Sequence, residues 1–162
     1  MILTVLALAV YGGALATAVM TDVMTLRIPN WVSALLAGAF FVVAALVPKS
    51  VDWASHLSAG VIVLLAGMGL FAWGKIGGGD VKLLAAVSLW NGLALLPSLV
   101  LTVGIAGGGV ALACLALRRI GLGPLLAARG FQAASLAPDK GIPYAAAIAV
   151  GCGMLAPHLF LF

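Results

Sequence analysis

Residues 83–117 read LLAAVSLWNGLALLPSLVLTVGIAGGGVALACLAL, thirty-five positions without a charge. A helix crosses a bilayer with roughly 20 apolar residues, so this stretch is too long for one crossing and tight for two. Trp90-Asn91-Gly92 interrupts it with a turn signal, and Pro97 follows closely. The stretch therefore reads as a hairpin, a short helix over about 80–90 and a longer one over about 93–117. Whether it crosses once or twice decides the fold.

The rest of the chain sets the context. Hydrophobic residues make up 65% and charged residues 7%, and glutamate is absent. A soluble domain carries about a quarter of its residues charged, so this composition belongs in lipid. Four further uncharged intervals, 1–21, 28–48, 53–74 and 141–162, each fit one crossing. The N-terminus lacks the basic segment of a signal peptide, so the first interval is kept as a span. The expectation is an all-α, polytopic membrane protein with six transmembrane helices, near 2–20, 31–47, 57–73, 80–90, 93–117 and 142–161. They form one membrane-embedded domain over 1–162. Cys114 and Cys152 fall in apolar runs and read as small buried hydrophobes. His56 and His158 read as residues of the outer surface.

The basic residues discriminate between the two topologies. With six crossings, Arg27, Lys75, Lys82, Arg118, Arg119, Arg129 and Lys140 share one side and only Lys49 lies opposite. The positive-inside rule then places the seven in the cytoplasm and both termini outside. A single crossing at 83–117 would scatter them. Trp31, Trp53, Trp73 and Trp90 sit at span ends, where an aromatic belt is expected. Gly104 and Gly108 have the GxxxG spacing of close helix packing. The longest polar connection, 118–140, is weakly amphipathic, and its basic residues read as topology and headgroup contacts rather than a nucleic-acid patch.

Only four acids occur, all aspartates. Asp52 and Asp139 read as solvated interface charges. Asp22, at the end of helix 1, and Asp80, after Gly77-Gly78-Gly79, fall on the same membrane face. Arg27, Pro29 and Asn30 follow Asp22, with Asn30 placed to cap helix 2. Two carboxylates on one face suggest an aspartyl dyad, in which one takes a proton from water while the other, protonated, polarises a scissile carbonyl. Like charges about 3 Å apart cannot both ionise cheaply, so the pair shares one proton. Helix position assigns Asp80 to the base role and Asp22 to the acid role. The side chains missing from Gly77, Gly78 and Gly79 would let a substrate backbone approach Asp80, and Arg27 and Lys82 would give electrostatic support. The alternative reading of Asp80 is a helix-capping residue.

Three stretches carry a family resemblance: D-x4-R-I-P-N at 22–30, GGGDVKLLAA at 77–86, and KGIPYAAAIAVG at 140–151. With the six-helix layout they resemble the type 4 prepilin peptidases, membrane aspartyl proteases of the GxGD class. The nearest likeness is the short CpaA- or TadV-like form serving Flp/Tad pili. The third stretch departs from the pattern, with Tyr144 and Ala145 where members often carry Gly. The resemblance implies cleavage of a prepilin's short basic leader at the cytoplasmic face of the inner membrane. Asp22 and Asp80 match the catalytic aspartates, and Gly77 and Gly79 the glycines of the motif. Long members of the family also N-methylate the pilin and carry paired CxxC motifs between helices 1 and 2. Here that connection is residues 22–30 without cysteine, so neither a metal nor another cofactor is expected, and methyltransferase activity is not.

The partners implied are a prepilin or pseudopilin, the bilayer and a pilus secretion machine, with no nucleic acid. A small transporter or ion pathway is the main rival reading, because intramembrane acids also mark proton relays. It would want polar groups spread through the membrane depth, which the spans lack. A scaffold subunit of a secretion machine would explain the hydrophobicity but not paired acids.

Overall fold

The structure, a computed structural model, describes residues 2–47, 51–121, 134–137 and 141–155. Five helices and no strands occur among them: α1 (Ile2–Thr25), α2 (Asn30–Leu46), α3 (Trp53–Ala72), α4 (Gly78–Arg119) and α5 (Tyr144–Leu155). A single 3₁₀ turn, Ala134–Leu136, precedes α5.

The turn expected at 90–92 is where α4 breaks. Gly92 has φ 69 and ψ 178, outside the helical region and in territory that favours glycine. A straight helix of this length would separate Asp80 from Ala111 by about 46 Å, yet both line one cavity. The chain therefore folds back at Gly92 into two arms, 78–91 and 93–119. Breaking a helix frees the groups that would pair across the break, a serious cost away from water. Here α3 satisfies both. The Leu93 N–H donates to Ser55 Oγ (2.9 Å), and Leu89 O faces His56 Nδ1 at 2.6 Å, which makes Nδ1–H the donor. A Cβ at position 92 would lie 3.1 Å from Ser55 Oγ, so glycine fits here on space as well as on φ.

Three helices, α1, α3 and α4, are long and apolar enough to cross a membrane, while α2 and the described part of α5 are shorter. Six separate spans are thus more than helix length alone supports, because α4 is counted as one run across its break. Helix ends shift as well. α1 continues past residue 20 to Thr25, with the hydroxyls of Thr17, Thr21 and Thr25 bonding back to carbonyls one turn earlier. It stops where Leu26 adopts φ 53 and its N–H bonds to Asp22 O (2.8 Å). α3 starts at Trp53, capped by the exposed Asp52, whose carboxylate accepts from the Ser55 N–H (3.2 Å).

Helix packing relies on small residues, but not on the expected pair. Gly60 and Gly67 of α3 sit so close to the first arm of α4 that added Cβ atoms would fall 2.5 Å from Leu89 and 2.6 Å from Val81. Gly151 of α5 likewise meets Val103 of the second arm. Gly104 and Gly108 meet no atom of the described residues within 4 Å and line the cavity instead. The belt assignment also fails for one tryptophan. Trp31, Trp53 and Trp73 are exposed, whereas Trp90 is wholly buried. It packs against Tyr11 and Phe40 and donates from Nε1 to Leu36 O (3.0 Å). His56 is likewise buried at the break rather than at the surface. Cys114 and Cys152 are buried free thiols, as expected. Lys49, Arg129, Asp139, Lys140 and His158 lie outside the described residues.

Candidate active site

Asp22 occupies the last turns of α1 and is buried. Its Oδ2 accepts a hydrogen bond from the Ala145 N–H at 2.9 Å, across 123 positions of sequence. That N–H belongs to the first turn of α5, where helix donors have no partner of their own and suit a carboxylate. Pro143, just before α5, fits a helix entry. Arg118, at the end of α4, holds the approach to this turn: it donates to Ser135 O and, from Nη2, to Gly141 O (2.7 Å). Neither Ala145 nor Arg118 is marked as a site residue by the sequence. A backbone N–H carries no sequence signature, and Arg118 reads there only as a topology charge.

Asp80 lies in the first turn of α4, with Gly77 as its N-cap. Its carboxyl is turned back toward Gly77, whose missing side chain leaves it that place. A Cβ on Gly77 would sit 2.7 Å from Asp80 Oδ2, so a side chain here would displace the Asp80 carboxyl from its present position. Gly79 serves a different contact: a Cβ there would come within 3.1 Å of Ile28 Cβ. The connection from α1 to α2 is thereby seated against the start of α4. Gly78 makes only ordinary contact with the Phe71 ring. Of the three glycines, Gly79 thus brings the segment behind Asp22 and the turn carrying Asp80 together.

The two carboxylates lie at the same end of the bundle, Asp22 in the last turns of α1 and Asp80 in the first turn of α4, with Gly79 packed on Ile28 of the connection behind Asp22. Asp80 lines an apolar cavity of about 540 Å³ between α3, both arms of α4 and α5, and Tyr144, next to the Ala145 that holds Asp22, lines it too. The role assignment by helix position considered only the end of α1, whereas the start of α5 also meets Asp22.

The supporting cations are not at the dyad. Arg27 is exposed. Lys82 points to another side of α4, where its Nζ donates to Asn30 Oδ1 (3.0 Å). Asn30 is therefore a tie between α2 and α4 rather than a cap. Pro29 occupies the N-cap position and makes no side-chain cap bond.

A model of the type IV leader peptidase family matches residues 9–112, from α1 through most of α4. The chain belongs to that family. The matched span contains Asp22, Gly77–Gly79 and Asp80, and ends before α5. No curated protein matches the chain, and no solved structure does. Membership makes a membrane-embedded peptidase the frame for this site and a prepilin-type protein the kind of substrate the family implies.

Proposed function

We propose that this protein is an aspartyl leader peptidase of the short Flp/Tad type, cutting basic prepilin leaders at the cytoplasmic face of the inner membrane without methylating the product. The observation that carries the reading is the placement of Asp22 and Asp80, from different helices, at one end of the bundle, with Asp80 lining an apolar cavity. In the proposed reaction the unprotonated carboxylate removes a proton from water as the water oxygen bonds to the scissile carbonyl carbon. The protonated carboxyl donates to the carbonyl oxygen. Collapse of the tetrahedral species breaks the C–N bond, and the nitrogen takes a proton from the dyad. The space at Gly77, Gly78 and Gly79 is taken up by Asp80, Phe71 and Ile28, so these glycines shape the turn that carries Asp80 rather than leaving room for a substrate backbone. The decisive experiment is leader cleavage of a synthetic prepilin by the purified protein in lipid; its absence would refute the proposal.

Topology has its own test. The described basic residues Arg27, Lys75, Lys82, Arg118 and Arg119 flank helix ends near the dyad, while Asp52 caps α3 beside the Gly92 break. Six crossings place these two ends on opposite membrane faces. Single cysteines at Arg27 and Arg119, in a Cys114→Ala/Cys152→Ala background, should label only after the cytoplasmic side is opened. A cysteine at Asp52 should label from outside. External labelling at Arg119 alone would mean that α4 crosses once.

The remaining acid in the described structure has a purely local role. Asp52→Ala removes the α3 cap and should cost about 1 kcal/mol of stability, read as a lower thermal midpoint, with cleavage retained at permissive temperature. Loss of cleavage in a folded Asp52→Ala protein would give Asp52 a part in the chemistry.

A further inference from the structure

The cavity beside Asp80 is shaped by glycines that helix packing does not explain. Glycine is the poorest helix former after proline, yet the second arm of α4 carries Gly104, Gly107, Gly108 and Gly109. Elsewhere in the helices glycine serves both ways: Gly60, Gly67 and Gly151 mark close approach, whereas Gly12, Gly13, Gly38 and Gly69 meet no described atom within 4 Å. Gly104 and Gly108 likewise meet no described atom within 4 Å of the Cβ either would carry, and what sets them apart is that they line the cavity that holds Asp80. They stand one turn apart on the cavity wall, and what they preserve is its open space.

That space continues from the reacting groups. Asp80 and Tyr144 line it near the dyad, and its wall on the second arm extends from Ala111 to Val100, about 16 Å of helix. An extended chain of about five residues spans that distance. At about 540 Å³ it is the size of a ligand pocket. Apart from Asp80 and Tyr144, its lining among the described residues offers no side chain able to hydrogen-bond, so a polar segment would enter at the cost of unpaired groups.

Resting on the leader-peptidase reading, we propose that this cavity is the subsite for an apolar segment of the substrate adjoining the scissile bond, and that Gly104 and Gly108 determine how bulky its side chains can be. The occupant is polypeptide rather than lipid because the cavity is continuous with a carboxylate placed for peptide chemistry.

The test uses the full-length protein in nanodiscs and two peptides with one basic leader, followed by an apolar segment rich in either Leu and Phe or Ala and Ser. Gly104→Leu and Gly108→Leu should lower kcat/KM at least about 10-fold for the bulky peptide and less than about 2-fold for the small one. Gly109→Leu, which is outside the cavity and also free of neighbours, should stay within about 2-fold of the parent on both. In parallel, a benzophenone in the bulky segment should cross-link to residues 104–111 in the Asp80→Asn protein, and Gly108→Leu should remove that adduct. Equal losses on both peptides, no loss on either, or adducts elsewhere, as lipid filling would give, would overturn the subsite. If the parent cleaves neither peptide but forms the Gly108-sensitive adduct, the subsite stands and the peptidase reading falls.

Discussion

Asp22→Asn and Asp80→Asn should each reduce leader cleavage by about 10²–10⁴-fold, the range lost with a general acid or base, while the protein still inserts and accumulates. The substitution suits this site because it preserves shape. The asparagine carbonyl at position 22 can still accept the Ala145 N–H, so the tie between α1 and α5 survives and only the titrating group is lost. At position 80 the amide has the same shape as the carboxyl and fits the same place beside Gly77. Members of a dyad act as one unit, so the double variant should be no slower than either single one. Asp22→Ala separates chemistry from architecture. It loses the same activity and also leaves the Ala145 N–H without its charged acceptor, costing about 1.5–3 kcal/mol. The thermal midpoint should therefore fall for Asp22→Ala and hold for Asp22→Asn. Substantial cleavage by either Asn variant would end the dyad assignment.

These outcomes depend on features that differ in how far the sequence exposes them. In a chain with so few charges, each charge marks a helix end or a site, so Asp22 and Asp80 stand out by residue type and position alone. The fold-back at 90–92 is legible for a related reason: an apolar run has to end somewhere, and Asn91-Gly92 is its only strong turn signal. What closes the break is not legible. Ser55 and His56 look like surface residues of a helix start, and only the packing of α3 on α4 shows them filling the bonds that Gly92 opens. The same limit hides the Ala145 N–H, since every residue except proline has one. The GxxxG pair misleads because spacing reports which glycines share a helix face, not whether that face meets a helix or a void. Lys82 misleads in a similar way: nearness to Asp80 in sequence does not put its ammonium on the Asp80 side.

Trp90→Ala should be the most damaging single change to stability away from the dyad. An interfacial tryptophan of the kind expected from sequence would stand half in headgroups, and its loss would cost little. Trp90 is instead fully buried, with ring centroids 5.2 Å from Tyr11 and 6.0 Å from Phe40, and its indole N–H is spent on Leu36 O. It joins α1, α2 and the first arm of α4 two residues before the break. Lipid weakens the transfer contribution, because the reference state is already apolar, but the cavity and the lost contacts remain. A loss on the order of 3 kcal/mol follows, at the low end for a buried Trp→Ala change. At about 2–4 °C per kcal/mol for a chain of this size, the thermal midpoint should drop by about 6–12 °C. Trp90→Phe keeps most of the packing and gives up the N–H bond, so its cost should be nearer 1 kcal/mol. Trp73→Ala, at the most exposed tryptophan, is the matched control and should shift the midpoint hardly at all. Asp80 lies ten residues earlier on the same arm, about 15 Å away, so folded Trp90→Ala protein should keep most of its kcat/KM at low temperature. A midpoint shift no larger than that of Trp73→Ala would return Trp90 to the interface and undo the packing that links α1 and α2 to the hairpin.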